Sequence, residues 1–451
     1  MKRRILFVVL AVLVSLVMVV SCAQQAPAPS PAPSPKPPAP SPTATAPAPS
    51  PSPKPSPAPS AFKWPASLSV GTPGTGTSTY AAVGGWVSEL TRTAGTNARV
   101  VPEDGTVLRF RWLKNGVIDL FIESSGIFRH MEAYRPEQAV ADGGPFQFRV
   151  IGPGSISAWG LVVKADSPIK TIYDIKPTTK VAYFPPPSDM TFALLYWLKL
   201  NDGPVPELAR DGKWKVNLVP VSSGGAHMSS VPDGKADIAL IVPTAPQIVE
   251  GAAKPPGLRF IEFPVTKDPE GLQRYLEIYT TGEFAPAPHV GVKEIWDVVS
   301  LSVPRFLLSR ADMSPELAYN LIKWLDENYG LYKDKHPDLE LYDMKSFRLS
   351  LDSVAGPVHE GVIKYLKEKG RWSAADDLRQ QYNLRVLTAY EKAYKEAMDR
   401  ANKQSIKVDP SNDTWIKLWS DYKKEKKLPI VKTMSDAQIK DGLKLLDSLG
   451  F

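Results

Sequence analysis

The feature that most constrains the fold is a proline-rich run near the start of the chain. Residues 23–60 are almost entirely Ala, Pro and Ser, and they contain 16 of the 45 prolines in the 451-residue sequence. Closely spaced prolines fix φ and remove backbone donors, so neither a helix nor a sheet can form there. We predict an extended tether over residues 23–61, although a proline-rich ligand for a partner protein is the alternative. The folded body then starts at residue 62.

The segment before the tether is typical of a bacterial export signal. A basic start (MKRR) precedes an apolar run over residues 5–20, which is slightly short for a membrane-spanning helix. The run ends in Val-Val-Ser-Cys, which resembles a lipoprotein box, and Cys22 is the only cysteine of the chain. We therefore predict a lipoprotein signal peptide over residues 1–22, lipidation at Cys22 and an extracytoplasmic protein anchored to the bacterial cell membrane. An uncleaved anchor or a plain signal peptide is the alternative.

Composition narrows the classes of function for the body. The net charge is +7, from 54 basic and 47 acidic residues, and no basic stripe with interleaved aromatic residues occurs. Nucleic acid is therefore not expected as a partner. The body is long enough for two lobes and an extension. No second apolar segment is long enough to cross a membrane, so a transport channel would have to be another chain.

The first part of the body alternates strand and helix patterns. Strands are predicted at residues 67–70, 98–101 and 117–123, with helices between them, which indicates a parallel sheet flanked by helices. Ligands bind beyond the carboxyl ends of strands in such sheets. Three loops rich in Gly, Ser or Thr fall there: residues 71–79, 103–106 and 124–126.

The first of these loops, within GTPGTGTSTY (residues 71–80), resembles a nucleotide-binding loop only in part. It has phosphate-loop glycine spacing, but Thr77 and Ser78 stand where a lysine and a hydroxyl residue should follow. Thr79 replaces the third glycine of the dinucleotide pattern. The loop is therefore interpreted as a cradle for a carboxylate or another polar group, because N–H groups at a helix start favour anions.

A second unit repeats the scheme. Strands are predicted at residues 159–164, 180–184, 214–221 and 258–264, and Ser188 is predicted to cap a helix. Another strand ends at Pro243 and Thr244. A strand and a long amphipathic helix over residues 299–328 are expected to return to the first lobe.

Six segments in this order resemble the TAXI solute receptors of TRAP transporters, and together they cover about residues 68–370. They are VGTPGTGTSTYAAVGGWVSEL, EDGTVLRFRWLKNGVIDLFIESSG, GLVVKADSPIKTIYDIKPTTKVAYFPPPS, PDGKADIALIVPTAP, SVPRFLLSRADMSPELAYNLIKWL and GPVHEGVIKYLKEKG. The resemblance implies a two-lobe α/β fold of the type II periplasmic-binding-protein (Venus-flytrap) kind. It also implies capture of a small solute between the lobes and delivery to a TRAP membrane permease driven by an ion gradient.

The resemblance divides the body into four parts. Residues 62–155 and 266–370 are expected to form lobe 1, residues 156–265 lobe 2, and residues 371–451 a helical C-terminal extension. The ligand-binding residues that it implies lie in the strand-end loops: Gly74, Thr75, Gly76, Thr77, Ser78, Tyr80, Gly105, Thr106, Ser124, Ser125, Ser188, Asp189, Met190, Thr191, Pro243 and Thr244.

The sequence departs from the family pattern in the second lobe. Residues 175–178 replace the usual Gly-Lys pair, and residues 185–189 replace a Gly-Ser-Gly type of turn with three prolines, Ser188 and Asp189. A carboxylate at Asp189 would repel an acidic solute, so a monocarboxylate, an amino acid or a related zwitterion or amide is favoured. Alternatively, Asp189 only stabilises a helix N-terminus.

Catalytic patterns are missing from the sequence. The five histidines share no metal-ligand spacing, and neither His-Glu-x-x-His nor Gly-x-Ser-x-Gly occurs. We expect no enzyme activity, no cofactor and no metal. The alternatives to a TRAP receptor are a binding lipoprotein that serves an ABC-type importer or a sensor, and, from another class, a surface hydrolase or an adhesion protein.

Overall fold

The strands of the body are short except for two. In the computed structural model, residues 62–184, 189–202 and 213–451 are described. The strands in these residues are β1 (Ser67–Thr72), β2 (Asn97–Pro102), β3 (Leu120–Ser124), β4 (Phe148–Lys164), β5 (Lys180–Tyr183), β6 (Asn201–Asp202), β7 (Lys213–Trp214), β8 (Asn217–Pro220), β9 (Ala239–Ile241), β10 (Leu258–Ile261), β11 (Glu283–Pro286) and β12 (Val299–Arg310).

Helices connect the strands and form the whole C-terminal part of the chain. They are α1 (Ser78–Ala94), α2 (Thr106–Lys114), α3 (Asp189–Trp197), α4 (Gly224–Ser229), α5 (Pro246–Ala253), α6 (Pro269–Ile278), α7 (Pro315–Glu327), α8 (Tyr329–Tyr332), α9 (Met344–Leu351), α10 (Glu360–Glu368), α11 (Ala374–Lys403), α12 (Asp413–Glu425) and α13 (Asp436–Ser448). A 3-10 helix, Ser125–Glu132, follows β3 directly.

The first three strands form the predicted parallel unit. β1 pairs in parallel with β2 on one side and with β3 on the other. Five consecutive residues of β1 are buried, as expected for an inner strand covered on both faces. Helices α1 and α2 begin where β1 and β2 end, so the loops between them lie at one edge of the sheet.

Two long antiparallel strands, β4 and β12, connect the two halves of the body. They pair from Arg310 opposite Phe148 to Leu301 opposite Trp159. β12 also pairs with β3 and with β11, and the far end of β4 pairs with β9 and β10. Each strand therefore belongs to both halves. The sequence predicted only the last six residues of β4, because Gly152, Pro153 and Gly154 obscure its first part.

Buried apolar residues divide into separate cores along these strands. One core includes Val150 and Leu308, whereas Leu161 and Leu301 belong to a second. A third includes Val162, which follows Leu161 in β4 and therefore lies on the opposite face of that strand. The expected two-lobe α/β fold is thus confirmed, and β4 and β12 carry the chain between the lobes.

The C-terminal helices belong to the core of the first lobe. Trp415 of α12 is fully buried there, and its Nε1 donates to the carbonyl oxygen of Ala139 at 2.6 Å. Trp419 is also buried and donates to the carbonyl oxygen of Ala133 at 3.0 Å. The expected helical extension is present, and it packs on the lobe. Within the described ranges, no helix is both long and apolar enough to cross a bilayer.

Candidate ligand-binding cleft

The opening loop is held by its own hydroxyl and glycine residues. Thr77 is the N-cap of α1, and its Oγ1 accepts from the N–H of Tyr80 at 3.3 Å and donates to the carbonyl oxygen of Gly74 at 2.8 Å. Thr75 is exposed, whereas Ser78 is buried. The hydroxyl of Thr77 therefore shapes the loop, as an N-cap commonly does.

This loop touches the second lobe directly. Gln247 of α5 donates from Nε2 to the carbonyl oxygen of Gly76 at 3.1 Å. A Cβ on Gly76 would lie only 3.1 Å from the Cα of Gly225, so a glycine is needed for this close approach. The lobes are therefore in contact at the carboxyl end of β1.

Asp104, at the carboxyl end of β2, contacts both lobes. Its Oδ1 accepts from the N–H of Gly74 in the first lobe at 3.1 Å and from the N–H of Gly224 in the second at 3.4 Å. Next to it, the N–H of Gly105 donates to Oε1 of Glu103 at 2.8 Å. A pair of acidic residues thus occupies the second predicted loop.

The third loop surrounds another carboxylate, that of Glu123. Its oxygens accept from the N–H of Ser124 at 2.8 Å, from Thr106 Oγ1 at 3.2 Å and from Arg109 Nη2 at 2.8 Å. Burial would raise the pKa of Glu123, but Arg109 and the Ser124 N–H outweigh it and lower that pKa. The buried Ser125 donates to the carbonyl oxygen of Thr281 at 2.7 Å.

Asp189 is the first residue of α3 and joins the second lobe to the first. Its carboxylate accepts from the hydroxyl of Tyr134 and forms an ion pair with the buried guanidinium of Arg135. Arg129 lies over the Tyr134 ring, 4.1 Å from its centroid. The charge of Asp189 is therefore compensated, so the repulsion expected from the sequence is offset. Sequence reasoning missed Tyr134 and Arg135, because they follow an irregular segment without a motif.

The other predicted positions in the second lobe lie mostly in packed regions. Thr191 is buried, and Met190 packs against the second core. Pro243 accepts from the N–H of Val292 at 3.4 Å. Thr244 is buried, and its Oγ1 has no hydrogen-bond partner within the described ranges. Tyr80 is half-buried, while Ser188 and Cys22 lie outside the described residues.

A tyrosine from the second lobe covers the third loop. Tyr279 is 5% exposed, and its hydroxyl oxygen lies 3.3 Å from the position that a Cβ would take on Gly126. This hydroxyl has no hydrogen-bond partner among the described residues, and neither has the neighbouring hydroxyl of Thr281. Burial and the nearby Asp189 raise the pKa of Tyr279. No sequence pattern identified this tyrosine.

The segment between α12 and α13 also reaches the lobe boundary. The N–H of Val431 donates to Glu132 at 2.7 Å, and the Val431 carbonyl accepts from Thr280 Oγ1 at 2.7 Å. Thr433 donates from its N–H to the carbonyl oxygen of Thr280 at 3.1 Å. Since Thr280 follows Tyr279 of the second core, the extension contacts both lobes.

Comparisons with known proteins give a match to one family model over part of the chain. Residues 215–370, or 156 of 451 residues, match the family model of the NMT1-like family. A search of curated proteins returns no match. No group of His, Cys, Asp and Glu suited to a metal ion occurs in the parts of the chain that the structure covers.

Three solved structures illustrate the structural similarity. A periplasmic substrate-binding protein of an ABC transporter from Coxiella burnetii is 14% identical, with 60% of this chain and 97% of that chain covered and a TM-score of 0.37. The periplasmic aliphatic sulphonate binding protein of Escherichia coli is 16% identical (74% and 94% covered, TM-score 0.35). An amino acid ABC transporter substrate-binding protein of Streptococcus pneumoniae, bound to L-arginine, is 11% identical (63% and 96%, TM-score 0.35).

Proposed function

We propose that this chain is an extracytoplasmic receptor that captures a small polar solute between its two lobes for a membrane transporter. The observation that carries the proposal is the meeting of strand-end loops from both lobes. Asp104 accepts from backbone groups of both lobes, Gln247 reaches Gly76, and Asp189 reaches Arg135. Two lobes joined by paired strands can move apart and close around a solute.

The proposed binding site comprises the predicted loop residues together with Tyr134, Arg135 and Tyr279. We propose lobe boundaries close to the predicted ones, with residues 62–155 in one lobe and residues 156–265 in the other. Residues 266–298 are assigned to the second lobe, because Tyr279 and Ile295 lie in its cores, and residues 299–370 return to the first. A role in binding rather than in catalysis accords with this arrangement, because several of its polar groups, including Asp104, Gln247 and Asp189, form contacts between the lobes.

The transporter is proposed on the sequence resemblance, which favours an ion-gradient-driven TRAP permease. An ABC-type importer is the alternative, and two of the solved structures above carry that description. Reconstitution of the receptor with the permease encoded beside it would separate the two. Uptake that needs an ion gradient and no ATP supports the TRAP partner, and uptake that needs ATP overturns it.

Solute binding is tested by thermal unfolding of the full-length protein in detergent with a panel of amino acids, amides, amines, sugars and organic acids. A bound solute raises the free energy of unfolding by mass action, by about 2.7 kcal/mol at a hundredfold excess over Kd, and the unfolding midpoint rises with it. The receptor proposal fails if no member of the panel raises the midpoint.

The proposed anchor has its own test. Residues 1–61 precede the body, and we propose that Cys22 becomes the lipidated N-terminus of the mature protein. Mass spectrometry of protein from bacterial membranes should find an acylated Cys22, and an N-terminus at Met1 would contradict the proposal.

A further inference from the structure

In each of the three strand-end loops, one backbone donor that was expected to hold an anionic solute is already used by the protein itself. The N–H of Gly74 donates to Asp104, the N–H of Gly105 donates to Glu103, and the N–H of Ser124 donates to Glu123. Each of the three loops thus directs an N–H at a carboxylate of the chain. A solute carboxylate would have to displace that group and would meet its negative charge.

Two of these carboxylates lack a direct ion pair with a cation. Glu123 is paired with Arg109, and Asp189 of the other lobe is paired with Arg135. In contrast, neither Asp104 nor Glu103 forms an ion pair within 4 Å with a described Lys, Arg or His, and the buried Arg109, paired with Glu123, acts on both from a greater distance. The strand-end edge of the first lobe therefore has an excess of negative charge. Asp104 is the carboxylate at the contact between the lobes.

A second, independent observation points to a ligand at this edge. The hydroxyl of Tyr279 is buried, has no hydrogen-bond partner in the described ranges and lies over Gly126 of the third loop. Buried polar groups are nearly always paired with protein, water or ligand. Glu123 of this loop accepts from Thr106, which follows Asp104 by two residues, so the tyrosine and the carboxylates lie along one edge of the sheet.

We infer that the solute presents a positively charged nitrogen, an ammonium or a guanidinium, to Asp104, and that Tyr279 binds a polar atom of the same solute. This inference rests on the proposed function and specifies its solute class. It differs from the carboxylate-bearing solute expected from the sequence. A cation placed between Asp104 and the second lobe compensates the unpaired charge, and closure then removes the pair from water, which strengthens their attraction.

The test compares matched solutes on the full-length protein in detergent at pH 7.5. Thermal midpoints are measured with 1,4-diaminobutane, agmatine and choline as cations, with 4-aminobutanoate as a zwitterion, with succinate and glutarate as dianions, and with neutral amides and sugars. The cations are expected to raise the midpoint, and the dianions are expected to leave it unchanged.

The substitution Asp104→Asn preserves the acceptor for the two backbone N–H groups and removes the charge. We expect it to weaken binding of the best cation by about ten- to a hundredfold. Asp441→Asn is the matched control, because Asp441 is exposed in the C-terminal extension and its replacement changes the net charge equally. The control should leave the affinity unchanged.

Three results would overturn the inference. They are binding of dianions as tight as that of cations, an Asp104→Asn affinity within twofold of the unmodified protein, and no binding of any cation. If neutral solutes bind instead, the receptor proposal survives without the inference, and if no solute binds, both fail. The ranking of solutes on the unmodified protein decides the question even if Asp104→Asn does not fold.

Discussion

The two lobes are built in different ways. The core of the first lobe is one cluster that runs from Leu68 in β1 to Leu446 in α13, so the C-terminal helices complete it. The second lobe has two smaller cores on opposite faces of its sheet. The first lobe is therefore stabilised by a large buried apolar area, whereas the contacts between the lobes described above are polar and few. Folding stability and lobe closure are thus assigned to different parts of the chain.

The largest effect is expected for Trp415→Ala in the C-terminal extension, which tests whether the extension completes the core of the first lobe. Trp415 is fully buried in the first core, so its truncation should lower the free energy of unfolding by about 3–5 kcal/mol. Urea denaturation measures the change. The matched control is Trp296→Ala in the second lobe, where the side chain is 40% exposed, and a loss below about 1 kcal/mol is expected there. Equal losses would contradict the claim that the extension completes the core.

The next test concerns closure of the lobes. Asp189→Asn leaves Arg135 buried without its partner, which should destabilise the closed arrangement by about 3 kcal/mol. Spin labels on Ser88→Cys and Lys254→Cys, in a Cys22→Ser background, report the distance between the lobes. The distance distribution should shift to longer values.

A surface pair supplies the control for that experiment. Asp202 and Lys215 form an ion pair at 2.8 Å with both side chains about half exposed, and such pairs contribute about 0–1 kcal/mol. Asp202→Asn should leave the distance between the labels unchanged. If both variants behave alike, the bond between Asp189 and Arg135 is not what closes the lobes.

Acid should weaken both lobes through buried histidines, among them one in each lobe with a strongly lowered pKa. Burial lowers the pKa of His130 in the first lobe to about 3 and that of His227 in the second to about 4. The unfolded chain takes up these protons near pH 6.5 and the folded chain does not, so stability is lost as the pH falls below 6.5. From pH 6.5 to 5.5 the loss should be about 1 kcal/mol for each histidine. Urea midpoints across this range measure it. His227→Gln should reduce the slope by the share of one histidine, and part of it should remain, since burial also lowers the pKa of His130 and His359.

The smallest expected effect tests the contact of the extension with the second lobe. Thr280→Val removes the hydroxyl that donates to the Val431 carbonyl oxygen, at a cost of about 1 kcal/mol. The spin-label distance should shift slightly, since this bond helps to hold the closed arrangement. Thr414→Val is the control, because Thr414 is exposed. A shift in the control alone would show that the segment does not bridge the lobes.

The strand and helix order of the first lobe followed from the sequence because its pattern is local. Apolar periodicity and strand-end glycines located β1, β2 and β3 and the loops after them. The single strand predicted over residues 214–221 was wrong, since β7 ends at Trp214 and β8 starts at Asn217. Polar residues interrupt the alternation there, and the pattern could not show whether pairing continues.

The sequence by itself determined which residues can lie in the loops at the carboxyl ends of the strands, since helix starts, glycines and hydroxyls are local features. Only the tertiary structure decided what those groups bind. Asp104, Glu123 and Asp189 are brought to their partners by contacts between distant segments, and no local pattern encodes such distances. The same reason explains why Tyr279 and Val431 were missed: their positions depend on how the second lobe and the extension pack against the first.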